Sequence, residues 1–571
     1  MDTSSSAAVA AYTNSLTYSL ERSTGWLRSN PWKITRSTYC CYNAFSGHDL
    51  VIEARIPGGV TSFAVAPGGV KIGTVTGEMW QEAFVSSILR SINGDSYQEL
   101  YPALRRLDPL INEEIESKFI EACAKLFFNG WQLGSVYGHP TGTISNNFLV
   151  DGIFKFYCGI QRPEKAIKFF ERFANVDPDL TATIAKCLFA QDAEPEAITR
   201  MHTVITTYPE AVAILILQCE FLFEKKLFNE ALQLAKQAVL SSPGDYLTWT
   251  TLARAQIKCE QYSQALISLN TCPLSLRIAP ETWKMVPGTK IWLPCKDSNI
   301  PVDITTSLLA TSDSGPLERL KGASLSGSIA TVYKVLVELV DTIGWDDLLE
   351  LRSEIFVMEE EFAKEQTQKT TKLAEKVAQT DSMEQVPLND DQYSPIIRNK
   401  RMCERWLDGL FLILFNDLRQ YKLFATELQK NINGATTTTR FQRTPRDWLL
   451  IGNLAMRMAH TEDAKEAYRR CVDLGYSRAA WMRLLEIYVD EGKLSNALIA
   501  AGKVLAYDDG HFCPMILTSK VSEFIFRLVK DFGIERIKTT LISLNIEATA
   551  DGLLRHYLGV AIKNSLFGSD N

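Results

Sequence analysis

The chain has 571 residues, of which 46% are apolar and 22% are charged, and this balance is typical of a folded, water-soluble protein. Its formal net charge of -7 argues against nucleic acid as the main partner, because binding a phosphate backbone requires an excess of basic residues. The longest apolar runs, Ala211–Leu217 and Gly409–Phe415, are far shorter than the roughly 20 residues that span a bilayer, so any membrane contact is predicted to be peripheral.

The N-terminal part of the chain carries two kinds of segment. Residues 1–37 lack the basic start and long apolar stretch of a signal peptide, which favours a cytoplasmic protein. Residues 38–77 are rich in Val, Ile, Gly and Thr, and Pro-Gly-Gly occurs in them at 57–59 and 67–69. This pattern predicts a short β-strand element with an open edge, since so few strands cannot close into a barrel.

Residues 78–280 are predicted to be helical, with a repeat in about 150–280. Ala197, Ala231 and Ala265 are spaced 34 residues apart, and Ala166 precedes the first of them by 31. A period of 34 is that of the tetratricopeptide repeat, in which two antiparallel helices cross closely enough to require a small side chain. These alanines are therefore predicted to lie at helix–helix crossings.

Prolines and a tryptophan support the same repeat. Pro178, Pro209 and Pro243 each follow one of the alanines by 12 residues, where a proline would end the second helix of a unit. Trp249 falls at the core position of the first helix of its unit. Each repeat buries its apolar face against its neighbours, so the units are predicted to stack as a solenoid.

The middle of the chain is predicted to alternate between irregular and helical segments. Residues 281–323 include the short stretch Trp283–Val302, which holds Pro287, Gly288, Pro294 and Pro301, and this predicts an irregular connector. Residues 324–365 keep helical spacing, and residues 393–435 return to a strongly apolar helix. Between them, residues 366–392 have few large apolar side chains and no periodicity, which predicts a disordered insertion.

A second repeat array is predicted within residues 440–571. Trp448, Gly452 and Ala464 fit one unit, and Trp481 and Ala497 repeat the first and last of them 33 residues further on. The fold class expected for the whole chain is therefore all-α, a tetratricopeptide-type α-solenoid with a small strand-containing N-terminal segment.

The sequence contains no recognisable catalytic or metal-binding pattern. The six histidines are dispersed, with no H-x-x-x-H spacing, and the twelve cysteines form no C-x-x-C pair. The glycines of the strand element match neither phosphate-loop pattern, and G-x-S-x-G is absent. We therefore predict a protein with no catalytic residues, no metal and no cofactor.

Two basic clusters allow two interpretations. Arg398, Lys400, Arg401 and Arg405 form the first cluster, and the second is the loop at 440–446, with Arg440, Arg443 and Arg446. They are either ordinary solvated surface or a patch that meets anionic lipid or an acidic partner. The sequence leaves both interpretations open.

Two further blocks carry a resemblance to a known family. They are Thr342–Glu361, TIGWDDLLELRSEIFVMEEE, and Lys400–Arg419, KRMCERWLDGLFLILFNDLR. Together with the repeats around them they resemble the ChAPs family, the fungal subunits of exomer, a cargo adaptor of the trans-Golgi network.

The resemblance implies a non-catalytic subunit on the cytosolic face of the Golgi. Its implied partners are the exomer scaffold subunit, an Arf-type GTPase, the cytosolic tails of transmembrane cargo, and a paralogous or identical subunit. The resemblance also implies peripheral contact with the anionic Golgi membrane.

The repeats alone also fit a tetratricopeptide co-chaperone or another protein-binding scaffold. A co-chaperone would need a basic clamp for a carboxylate, whereas Glu220 and Glu224 are acidic at positions predicted to face inward. The strand element likewise has two open interpretations, since its edge could dock the scaffold or its strands could cap the first helices.

Overall fold

A computed structural model of the chain describes residues 15–22, 32–55, 58–66, 68–93, 113–133, 142–160, 162–274, 315–325, 327–357, 400–432, 443–511, 519–544, 546 and 548–565. The predicted disordered insertion at 366–392 lies outside these residues, as does most of the predicted connector, up to residue 314.

A five-stranded antiparallel sheet precedes the helices. Its strands are β1 (Ser15–Arg22), β2 (Trp32–Asn43), β3 (His48–Arg55), β4 (Gly59–Val65) and β5 (Lys71–Ile72). Each strand pairs with the next in sequence, so β1 and β5 are the edges. The buried residues Cys41, Leu50 and Ala64 pack against Ala83 of the first helix, α1 (Gly77–Asn93).

The sheet begins earlier than the predicted start at residue 38. β1 pairs with β2 along its whole length, from Ser15 opposite Cys40 to Arg22 opposite Trp32. The first half of β2 and all of β1 are rich in polar and charged residues, so local composition does not indicate a strand there. These segments become strands through pairing with each other, which involves residues distant in sequence.

The first helical array consists of antiparallel helix pairs. It opens with α2 (Glu113–Leu126) and a 3-10 helix (Phe127–Gln132). The pairs that follow are α3 (Phe148–Gly159) with α4 (Pro163–Glu171), α5 (Leu180–Ala190) with α6 (Glu194–Thr207), α7 (Val212–Glu224) with α8 (Phe228–Ser241), and α9 (Tyr246–Lys258) with α10 (Tyr262–Thr271).

The turns inside the α5–α6, α7–α8 and α9–α10 pairs use a left-handed backbone position. Asp192, Lys226 and Glu260 have φ values of 59°, 60° and 60°, and they recur every 34 residues. In the second array Ala459 and Gly492 occupy the same position, with φ values of 61° and 67°. The repeat therefore extends to the backbone conformation of its turns.

The described residues between 315 and 432 form three α-helices and a small parallel sheet. Two 3-10 helices (Gly315–Leu317 and Lys321–Ser324) lead into α11 (Gly327–Ile343), α12 (Trp345–Ile355), β6 (Phe356–Val357), β7 (Arg401–Met402) and α13 (Arg405–Ile432). The parallel pairing of β6 with β7 was not predicted, because each strand has only two residues and the two lie far apart in sequence.

The second array again consists of helix pairs. Its helices are α14 (Pro445–Arg457), α15 (Thr461–Leu474), α16 (Arg478–Asp490), α17 (Leu494–His511), α18 (Ser519–Phe532), α19 (Ile534–Leu544) and α20 (Ala548–Ser565). Thr444 caps α14 reciprocally, since its hydroxyl accepts from the Asp447 N–H and the Asp447 carboxylate accepts from the Thr444 N–H. Helix α18 packs against α3 of the first array.

The predicted fold class is confirmed. The chain is an α-solenoid of tetratricopeptide type with a small strand-containing N-terminal segment. No single helix among the described residues is both long and apolar enough to cross a bilayer, although the bent pair Gly315–Ser324 and Gly327–Ile343 meets the length and composition criteria together.

Candidate protein-binding surfaces

The alanines of the predicted repeats lie in the second helix of their pairs. Those of the first array, in α4, α6, α8 and α10, are Ala166, Ala197, Ala231 and Ala265, and those of the second, in α15 and α17, are Ala464 and Ala497. All six are 0% exposed. A larger side chain at these positions would have to displace the neighbouring helix.

Gly452 serves the same purpose in α14. A Cβ atom built on it would lie 2.4 Å from Cε1 of Tyr468 in α15, well inside van der Waals contact. The Tyr468 ring is fully buried, and its hydroxyl donates to Oδ1 of Asn453 at 2.8 Å. The ring thus occupies the space that the glycine leaves.

The three tryptophans of the repeats are half-buried and not fully enclosed. Trp249 donates its indole N–H to the carbonyl of Pro243 at 2.8 Å. The ring of Trp448 has the guanidinium of Arg470 4.9 Å from its centroid, while Trp481 packs on the edge of the second array's core.

The prolines occupy two different positions. Pro209 and Pro243 lie just beyond the ends of α6 and α8 and are exposed, as expected for residues that turn the chain into the next unit. Pro178 lies directly before α5, and turns at 172–176 separate it from the end of α4 at Glu171. Its carbonyl accepts from the Thr181 N–H at 3.0 Å, so it belongs to the turn that leads into α5 and does not end α4.

The two blocks that carried the family resemblance meet in space. The Arg352 guanidinium of α12 forms an ion pair with Asp408 of α13 and lies 4.7 Å from the ring centroid of Phe411. The Trp345 and Phe415 rings lie 5.8 Å apart. Together with the β6–β7 pair, these contacts make one packed unit from segments more than 40 residues apart, which we call the α12–α13 junction.

A buried carboxylate joins this junction to the second array. Asp417 is 0% exposed and accepts at Oδ2 from the Tyr333 hydroxyl at 2.7 Å and from Nε of Arg457 at 3.2 Å. Burial, followed by the nearby charge of Asp417, raises the pKa of Tyr333, so this tyrosine remains a hydrogen-bond donor. The network connects α11, α13 and α14.

The predicted basic patch lies at the start of α13. Lys400 is half-buried, Arg401 and Arg405 are exposed, and Arg398 lies outside the described residues. Farther along α13 the exposed side includes Leu412, Phe415 and Leu423, at 63%, 41% and 53% exposure, together with the exposed cations Arg419 and Lys422. We call the surface formed by residue 401 of β7 and residues 405, 412, 415, 419, 422 and 423 of α13 the α13 outer face. It combines apolar side chains with a basic flank.

The loop basics of the second cluster contact neighbouring groups. Arg446 forms an ion pair with Glu318 at 2.7 Å, and Arg443 lies 6.0 Å from the ring centroid of Trp448. Arg440 lies outside the described residues.

The N-terminal sheet presents β1 as a long edge. Eight residues of β1 pair on one side with β2, and no described strand pairs with the other side. The far end of β2 is tied to α1, since Cys41 Sγ lies 2.7 Å from Ser87 Oγ and Asn43 donates to Glu82 at 2.8 Å. These contacts hold the sheet against α1, which in turn packs against α3 of the first array.

Potential metal ligands are not clustered in the part of the chain that the structure describes. No group of three or more His, Cys, Asp or Glu side chains there could hold a metal ion.

Asp179 lies in a partly buried position before α5. Burial, and then the charge of Asp177, raise the pKa of Asp179 to about 6, and its carboxylate accepts from the Ala213 N–H at 3.2 Å. This contact ties the start of α5 to α7.

The sequence profile of the family described as ChAPs (Chs5p-Arf1p-binding proteins) matches residues 1–363. The chain belongs to the ChAPs family. A tetratricopeptide-repeat profile also matches residues 448–474, which cover α14 and α15.

Several relatives of this ChAPs chain are known from two yeasts. An uncharacterized protein of Schizosaccharomyces pombe is 32% identical over 574 residues, 96% of this chain and 87% of the relative. Protein BCH1 of Saccharomyces cerevisiae is 26% identical over 518 residues, 81% of this chain and 68% of the relative. Chitin biosynthesis protein CHS6 of the same yeast is 23% identical over 557 residues, 80% and 71% of the two chains.

Two solved structures share the ChAPs fold. One is the Chs5-Bch1 exomer cargo adaptor complex, in which the matching chain has a TM-score of 0.73 at 22% identity, covering 95% of this chain and 87% of that one. The other is the Chs5-Chs6 exomer cargo adaptor complex bound to a portion of Chs3, with a TM-score of 0.62 at 17% identity, covering 94% and 86%.

Two further features of this ChAPs chain were not predicted from the sequence. The turn residues at φ near 60° have polar side chains in the first array and no glycine, so composition gives no signal, although their period of 34 could have been noticed. The exposed apolar side of α13 was not predicted, because a strongly apolar helix gives no sign of which face remains uncovered.

Proposed function

We propose that the chain is a non-catalytic subunit of an exomer-type cargo adaptor. It would bind a scaffold subunit, an Arf-type GTPase and the cytosolic tails of transmembrane cargo, on the cytosolic face of the trans-Golgi network. The observation that carries the proposal is the family profile over residues 1–363, whose description names binding to Chs5p and Arf1p. The fold shared with chains of two exomer cargo adaptor complexes supports it.

The β1 edge is our candidate for the scaffold contact. An unpaired edge accepts an extended segment of another chain through main-chain hydrogen bonds, which suits a long strand such as β1. The opposite edge strand, β5, has only two residues and offers much less pairing. The alternative is that the sheet only covers α1.

The test is a pull-down of the scaffold and of Arf from cytosol, with and without a GTP-locked Arf. The full chain is compared with a variant that lacks residues 1–22 and thus β1, while β2 to β5 and the contacts with α1 remain. We expect the full chain to retain both proteins, with Arf only in its GTP form, and the variant to lose the scaffold. If the full chain retains neither the scaffold nor Arf, the proposed adaptor function is contradicted. If the variant still binds the scaffold, only the proposed role of β1 is contradicted.

The α13 outer face is our candidate for contact with anionic membrane. Exposed leucine and phenylalanine side chains beside arginine and lysine suit the boundary between headgroups and acyl chains. Each cation near an anionic surface contributes about 1 kcal/mol. Arg401→Glu with Arg405→Glu should therefore weaken binding to phosphatidylserine vesicles at least about tenfold. The matched control is Lys186→Glu with Lys236→Glu, two exposed lysines on the first array. Equal binding by both variants would argue against this face.

A further inference from the structure

A cleft with a basic wall lies at the start of the first array, away from the α13 outer face and the β1 edge. It has a volume of about 490 Å³ and lies between α2 and α4. Its floor is made by Tyr157 and Phe169, which are 1% and 2% exposed. The cleft is therefore recessed and has an aromatic bottom.

Part of the charge in the cleft is neutralised internally. The Glu116 carboxylate of α2 accepts from the Tyr157 hydroxyl at 2.9 Å and from Nζ of Lys165 at 2.6 Å. These contacts fix α2 against α3 and α4, so the two walls are held at a set distance. Because Glu116 already has two partners, it does not neutralise the other cations.

Two cations of α4 and its following turn remain available. Lys168 and Arg172 line the cleft, are exposed, and form no ion pair with any described residue. Glu113, at the start of α2, is the acidic residue that faces them from the other wall. Two cations against one carboxylate leave a net positive wall, which is complementary to an acidic ligand.

An apolar ledge adjoins the same cleft. The Phe169 ring lies 5.5 Å from that of Phe173, and Phe173 lies 5.9 Å from Phe128 in an edge-to-face arrangement. Phe128 is 47% exposed, as is its neighbour on the same 3-10 helix, Trp131, at 51%. A ligand held by Lys168 and Arg172 could thus place a bulky apolar side chain against exposed aromatic rings.

We propose that this cleft binds an acidic linear peptide of a partner protein that carries one bulky apolar side chain. The proposal rests on the proposed adaptor function, since an adaptor holds segments of other proteins, but its site is separate from the β1 edge. A recessed floor favours a peptide over a membrane, because a side chain can enter the cleft whereas a flat headgroup layer cannot reach Tyr157 or Phe169.

The experiment is a fluorescence-polarisation titration of the full chain. The probe is a fluorescein-labelled peptide, Glu-Asp-Glu-Phe-Glu-Asp, and the comparison probes replace its Phe by Ser or its acidic residues by Asn and Gln. We expect saturable binding of the first probe that weakens as salt is raised, because the cations lie at the surface. Both comparison probes should bind more weakly.

Two surface variants with matched controls locate the site. Lys168→Glu with Arg172→Glu should weaken the first probe by roughly tenfold or more, and the control Lys186→Glu with Lys236→Glu should leave it unchanged. Phe128→Ser should abolish the preference for Phe over Ser in the probe, whereas Leu240→Ser, at a residue 83% exposed on α8, should preserve it.

Three results would overturn the proposal: no saturable binding, equal weakening in the control pair, or loss of vesicle binding with unchanged peptide binding in the cleft variant. The readout does not need the scaffold or Arf. A chain that binds the peptide but retains neither protein would refute the proposed function and leave the cleft as a peptide site, while the converse result would refute only the cleft.

Discussion

Gly452 leaves no room for a side chain, because even a methyl group would lie 2.4 Å from the buried ring of Tyr468. Gly452→Ala should destabilise the protein by about 1–2 kcal/mol. Overpacking a core costs about 1–3 kcal/mol, whereas the better helix propensity of alanine stabilises the protein by at most about 1 kcal/mol. Chemical denaturation measures the change. The matched control is Gly409→Ala in α13, where nothing lies within 4 Å, and that variant should be stabilised. Gain of stability at both sites would mean that the crossing is not tight.

Asp179 should make stability depend on pH. Its pKa in the folded state is raised to about 6 from an ordinary value of 3.8. Between these two pH values the carboxyl group therefore keeps its proton in the folded state and has lost it in the unfolded state. Stability therefore falls as pH rises from about 4 to about 6, and stays lower above it.

Asp179→Asn cannot ionise and keeps a carbonyl oxygen for the Ala213 N–H. We expect its Tm to exceed that of the native chain at pH 7.5, with a smaller excess at pH 5. Asp179→Ala, which removes this acceptor, should be less stable than Asp179→Asn at both values. An advantage of Asp179→Asn that does not change with pH would contradict the raised pKa.

The helix pair is the recurring element, and its turn holds an L-residue in the left-handed region at Asp192, Lys226, Glu260 and Ala459. Glycine adopts this conformation without the steric cost of a Cβ atom, and Gly492 does so in the unit after Ala459. Ala459 is exposed, so its methyl group contributes little packing.

Ala459→Gly should therefore stabilise the protein by about 1 kcal/mol, as measured by denaturant unfolding. Ala479→Gly, at an exposed position with ordinary helical geometry in α16, should change stability in the opposite direction. If both variants are destabilised, the turn does not carry the strain that its φ value indicates.

Elements whose signal is local were predictable from the sequence, and elements formed by distant pairing were not. The alanine and tryptophan spacings indicated the repeats, because a stacked helix pair imposes the same small and large residues on every unit. β1 and the first half of β2 gain their conformation from each other, and β6 and β7 pair as two-residue strands. Neither case leaves a periodic pattern within one segment.

At the scale of the whole molecule, the sequence indicated a protein-binding solenoid and, through two blocks, a family. It did not indicate that these blocks meet in the α12–α13 junction, because Arg352 and Asp408 are brought together only by the packing of α12 on α13. The cleft between α2 and α4 was equally hidden. Its residues come from three helices, and none of them is unusual in its own segment.

The two arrays also contact each other through α18. Lys530 of α18 lies 2.7 Å from the Asp192 carboxylate in the first array, but both side chains are exposed, so the pair contributes little stability. The closer packing is between α18 and α3, where an ideal Cβ on Gly159 would lie 4.0 Å from Cβ of Glu523. That separation is within the range of about 3.5–4.5 Å found across disulfides.

Gly159→Cys with Glu523→Cys should therefore form a disulfide between the arrays under mild oxidation. A bond that closes so large a loop should retard unfolding and give a faster band on a non-reducing denaturing gel, with both effects reversed by reductant. Each single variant is the control. Glu523→Cys alone shows whether the introduced thiol forms a disulfide with the neighbouring Cys158 instead. If the double variant behaves like the singles, α18 does not lie against α3 in solution.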